Sequence, residues 1–81
     1  MEEFIAYLVK NIVESPDDVR VVVTEGDPLR VDIHCAPTDI ARVIGRQGRT
    51  IQALRTLATT AGARLGHRVR LDVVEENREE K

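Results

Sequence analysis

Gly45 and Gly48 stand three positions apart between two apolar-periodic segments, with Arg42, Arg46 and Arg49 before, between and after them. No other feature constrains the fold as much. Val43 and Ile44 on one side, and Ile51 and Leu54 on the other, recur at helical spacing. One helix must therefore end at the first glycine and another begin just after the second. Residues without a Cβ let the backbone come close to a ligand. The open amides of the second helix start suit a phosphate, and the arginines add positive charge at the same spot. A bare pair of glycines at this spacing is common by chance; the arginines and the flanking aliphatics give it weight. Together the residues read as a clamp for a nucleic-acid backbone.

A formal net charge of -2 argues against such a clamp until its distribution is considered. From Ile40 to Leu71 there are seven arginines (Arg42, Arg46, Arg49, Arg55, Arg64, Arg68 and Arg70) and no acid, while all fourteen acidic residues lie outside that window. A basic stretch inside an acidic chain is a local electrostatic footprint, and it matters more than the overall isoelectric point. At 81 residues the chain fits one small domain of modest stability. Only 2% of residues are aromatic against 42% hydrophobic, so the expected core is aliphatic. The acidic opening, Glu2-Glu3, does not read as a signal peptide, and no apolar run is long enough for a membrane span. The single cysteine, Cys35, excludes an internal disulfide and suits a reducing cytoplasm.

Apolar spacing predicts an amphipathic helix over residues 2–14 (Phe4, Ile5, Leu8, Val9, Ile12, Val13), stopped by Ser15-Pro16-Asp17-Asp18. Val19, Val21 and Val23 alternate with polar or exposed positions in a first strand. Leu29, Val31, Ile33 and Cys35 do the same in a second, across the turn Glu25-Gly26-Asp27-Pro28. The two strands are expected to form an antiparallel hairpin. Thr38 or Asp39 is placed to cap a short helix running to Ile44. A further helix over 49–62 puts Ile51, Leu54, Leu57, Ala58 and Ala61 on one face, and Val69, Leu71 and Val73 mark a third strand. Residues 1–75 form one domain in this reading, and 76–81 a charged, frayed tail. The fold class is α+β, with element order α-β-β-α-α-β and three helices on one face of a three-stranded sheet.

The stretch Val43-Ile44-Gly45-Arg46-Gln47-Gly48-Arg49-Thr50-Ile51 resembles the core motif of KH domains, and the element order resembles the type II, prokaryotic arrangement. The continuation Gln52-Ala53-Leu54-Arg55-Thr56-Leu57 and the opening helix with Ser15-Pro16-Asp17 resemble the small stand-alone bacterial KH proteins of the KhpA family. The likeness covers nearly the whole chain. It implies a cytoplasmic, non-catalytic protein that binds single-stranded RNA and acts as an RNA chaperone. It also implies a homodimer, or a heterodimer with a KhpB (Jag/EloR)-type protein, in cell elongation and peptidoglycan homeostasis. Membranes, small-molecule substrates and cofactors have no place in it.

Carried onto this chain, Gly45, Arg46, Gln47 and Gly48 would contact the backbone of about four nucleotides. Arg42 and Arg49 would flank the phosphates. The bases would lie on an aliphatic groove of Ile40, Val43, Ile44 and Ile51. With no aromatic platform, each base should be held weakly. The resemblance further places the first strand connection as the opposite jaw of the groove, where Glu25-Gly26-Asp27-Pro28 is short and acidic. A second reading is a structural dimerisation partner with vestigial RNA binding.

Other residues carry less. His34 and Cys35 are adjacent on a strand and face opposite sides, so they cannot share a metal. No carboxylate pair, serine–histidine arrangement or Walker motif is present, so no catalytic machinery is visible.

Overall fold

A computed structural model describes residues 1–75. The helix α1 (Glu2–Lys10) is followed by β1 (Arg20–Thr24), β2 (Leu29–His34), α2 (Ile40–Ile44), α3 (Arg49–Arg64) and β3 (Val69–Val73). Short 3-10 turns at Pro16–Asp18, Pro37–Asp39 and Arg46–Gly48 join them. The α-β-β-α-α-β order is the one expected from the sequence. The charged tail, 76–81, lies outside the described residues.

Strand β2 is central. Strand β1 pairs with it antiparallel, Val21 opposite Ile33 and Val23 opposite Val31. Strand β3 pairs parallel, Val31 opposite Leu71 and Ile33 opposite Val73. A parallel neighbour requires a crossover, and α2, the glycine loop and α3 supply it. Val21, Val31, Ile33 and Leu71 point from the sheet into the core, where they meet Ile5, Val9, Val43, Ile51, Leu54 and Ala58. The core is entirely aliphatic. The chain's one phenylalanine and one tyrosine, Phe4 and Tyr7, both lie exposed on α1.

Helix α1 is shorter than its apolar spacing predicts. Asn11 ends it by donating from Nδ2 to the Tyr7 carbonyl at 2.7 Å. The last turn tightens as Asn11 N donates to Leu8 O and Ile12 N to Val9 O, so the helix has closed before Ser15-Pro16 is reached. Helix α3 instead runs two residues past the expected end. Gly62 lies inside it, buried, rather than at its exit. Gly66, at φ 82°, makes the turn: His67 N donates to Gly62 O at 2.8 Å and Gly66 N to Ala63 O at 3.1 Å, the double bond of a glycine-terminated helix. Leu57 falls at the rim of the packed face and is exposed.

Candidate nucleic-acid interface

Helix α2 closes on Gly45, whose N–H donates to Ala41 O at 2.8 Å and whose φ of 82° redirects the chain. Gly48 N then donates back to Gly45 O at 3.1 Å, and Arg49 N to Arg46 O, making a single tight turn. Gln47 and Gly48 both sit in the left-handed region, at φ 57° and 75°. Gln47 is the one non-glycine residue with positive φ among the described residues. Such a backbone is held only where the surroundings dictate it, and it is found preferentially at binding sites. Among the described residues no side chain caps α3, so amides of its first turn are left without the usual capping partner. Arg46, Gln47 and Arg49 are exposed, and Gly45, Gly48 and Thr50 half-buried. The turn is open to a ligand.

The arginines of the basic stretch separate into two groups. Arg55 donates to Leu71 O and to Asp72, Arg70 also pairs with Asp72, and Arg68 pairs with Asp27. Arg42 is held by Glu14 at 2.8 Å and by Asp39 at 3.4 Å. Arg46, Arg49 and Arg64 make no ion pair or side-chain hydrogen bond among the described residues. Of these three, Arg46 lies within the glycine turn and Arg49 directly follows it. Arg64 lies at the other end of α3, a 16-residue helix and so roughly 24 Å long. The uncommitted positive charge near the turn therefore comes from Arg46 and Arg49.

Of the four residues expected to form the aliphatic groove, the structure leaves two at the surface. Ile40 and Ile44 are half-buried, whereas Val43 is wholly inside the core and Ile51 is 8% exposed. Val43 and Ile51 support the turn from beneath, and Val43 offers no face to a base. Val31 and Ile33 are likewise core.

The first strand connection is anchored away from the glycine turn itself. Leu29 N donates to Arg68 O, and Asp27 meets Arg68 at 3.0 Å, which fixes this turn against the chain between α3 and β3. It lies at the far end of α3 from Gly45–Gly48. Of its two acids, Asp27 is already engaged: hydrogen bonding and charge from Arg68 hold its carboxyl below the usual range.

Asp39, expected only as a helix cap, is the one buried charged side chain among the described residues, at 1% exposure. It makes no capping bond to α2. Its two oxygens accept instead from Glu14 N and Ser15 N at 3.1 Å each, tying the end of the α1–β1 connection to the base of α2. These partners are more than twenty positions distant in sequence, so no local pattern announces them. Cys35 packs half-buried against the core, and burial, with Asp39 adding to it, pushes its thiol up and makes it a poor nucleophile. Among the described residues no group of three or more His, Cys, Asp or Glu could hold a metal, and no helix is long and apolar enough to cross a membrane.

Known proteins are similar to this chain over most of its length. The chain is 40% identical over 77 residues to the RNA-binding protein KhpA of Chlamydia pneumoniae, which covers 94% of this chain and 99% of that one. It is 49% identical over 75 residues to the KhpA of Leifsonia xyli subsp. xyli, covering 89% and 93%. With the KhpA of Mycobacterium tuberculosis the figure is 46% over 72 residues, covering 88% and 86%. The family model for the KhpA/KhpB KH domain matches residues 2–73, from the first turn of α1 to the last residue of β3. With its helices, sheet and glycine turn all inside that span, the chain belongs to the KhpA/KhpB KH-domain family.

Proposed function

We propose that the chain is a non-catalytic single-stranded RNA-binding protein whose Gly45–Gly48 turn grips the sugar-phosphate backbone. One observation carries this reading: the turn is exposed, and Arg46 within it and Arg49 just after it are committed to no acid among the described residues. The names of the relatives support RNA as the ligand. The small aliphatic surface of Ile40 and Ile44 favours weak, sequence-tolerant binding by one domain, with a second KH surface adding avidity. On the family resemblance, that surface comes from another copy or from a KhpB-type protein. The pair would act in the cytoplasm as an RNA chaperone in cell elongation and peptidoglycan homeostasis.

A structural partner with vestigial RNA binding is the second reading. The edge of β1, unpaired among the described residues, and the exposed Phe4, Tyr7, Leu57 and Leu65 favour it, since they offer surface for a protein contact. Replacing Arg46 and Gln47 together by Asp separates the two. The RNA-binding reading expects an unchanged fold and oligomeric state, with crosslinking to cellular RNA nearly abolished. Undiminished crosslinking would transfer the case to the structural partner.

A further inference from the structure

Two carboxylates from different parts of the chain claim Arg42. Its Nε lies 3.4 Å from Asp39 Oδ1, and its Nη2 donates to Glu14 Oε2 at 2.8 Å. The two acids are not alike. Asp39 is buried and also holds the Glu14 and Ser15 amides, so it cannot leave without stranding a charge in the core. The Glu14 side chain is 74% exposed, and Arg42 is its only side-chain partner among the described residues. An exposed pair of this kind is weak and easily exchanged.

We propose that Glu14 is a built-in substitute for an RNA phosphate. It occupies the outer edge of the Arg42 guanidinium in the free protein and gives that edge up when RNA lies along the glycine turn, while Asp39 keeps Arg42 in place. The inference rests on the RNA-binding reading above. Arg42 stands one helical turn before Gly45, so a strand gripped at the turn passes close to it. Carboxylate and phosphate accept from the same kind of guanidinium donor, so Glu14 and a phosphate compete for the outer Nη2 edge. The backbone of Glu14 is pinned by Asp39, so the displaced carboxylate stays near Arg42 and rebinds as RNA leaves. One of the three cations near the turn is thus withheld until RNA displaces its acid.

The test measures the affinity of a labelled oligouridine and a labelled mixed-sequence RNA for the unaltered protein, Glu14→Gln, Arg42→Gln and the double variant, with Arg46→Asp alongside. Removing the competing carboxylate should tighten binding about two- to fivefold, the range open to an exposed ion pair. The gain should vanish in the Arg42→Gln background. A Glu14→Gln protein of unchanged melting temperature that binds no better overturns the proposal. So does an equal gain without Arg42, which would mark a general charge effect. If Arg46→Asp abolishes binding while Glu14→Gln gains nothing, only the Glu14 proposal falls. If the unaltered protein fails to bind, or Arg46→Asp binds as well as it does, the RNA-binding reading falls and this inference with it.

Discussion

Gly45 faces Thr50 so closely that a Cβ on the glycine would collide with the threonine Oγ1, Cβ and amide nitrogen. The first glycine of the turn is thus required by contact as well as by its φ of 82°. Gly48 differs: a Cβ there would meet only Ile51 Cγ2, at an ordinary 4.0 Å, so its requirement is conformational. Ala at Gly48 should cost about 1–2 kcal/mol, the usual penalty of a left-handed residue with a side chain. Ala at Gly45 should cost more and misplace the start of α3, removing RNA binding along with stability. Urea titration of the two variants checks the order; equal losses would contradict it.

Gln47 holds a left-handed backbone without being glycine. Its replacement by Gly relieves that strain, partly offset by the greater freedom of glycine in the unfolded chain. We expect a net stabilisation of about 0.5–1 kcal/mol and a melting temperature raised by roughly 2–8 °C. A lower melting temperature would show that the Gln47 side chain contributes more than its backbone costs.

How much of this was legible in the sequence follows the range of the interactions involved. The helices and strands could be read because Ile5 and Val9, or Val31 and Ile33, repeat at spacings set by their own element. The glycine turn was legible for the same reason: Gly45 and Gly48 act on their immediate neighbours. Helix α1 closed early because Asn11 reaches back to Tyr7, a local choice that apolar spacing does not register. The partition of the arginines was not legible, because it depends on Glu14, Asp27 and Asp72 arriving from other elements. Val43 lies in the core and not on the groove surface, which was not legible because an apolar residue beside a loop looks the same in sequence whether it faces out or in.

Gly62 is the second glycine whose place is set by contact. A Cβ on it would strike Val69 Cγ2 and come within 3.1 Å of His67 O, because α3 and β3 meet there. Gly62→Ala gains helix propensity yet overpacks this junction, and the expected net loss is about 1–3 kcal/mol. Val69→Ala removes one of the two obstacles, so the double variant should recover part of the loss. Thermal denaturation of the four proteins forms the cycle; simple additivity would mean that the two side chains do not compete for the same space.

The separation of the arginines makes a graded prediction for the salt dependence of RNA binding. Each phosphate neutralised on a single strand contributes about 0.7 to the log–log slope. Arg46 and Arg49 alone would give a slope of about -1.4, and Arg42, once freed from Glu14, about -2.1. Arg46→Gln and Arg49→Gln should each flatten the slope by about 0.7. Arg64→Gln, equally unpaired among the described residues but at the distant end of α3, should leave it unchanged. Arg68→Gln and Arg70→Gln should also leave it unchanged, since their charges are already met by Asp27 and Asp72. Anisotropy titrations across a range of salt concentrations measure all six slopes. Equal flattening by Arg64→Gln would mean that RNA follows the whole length of α3 and that the glycine turn is not its main anchor.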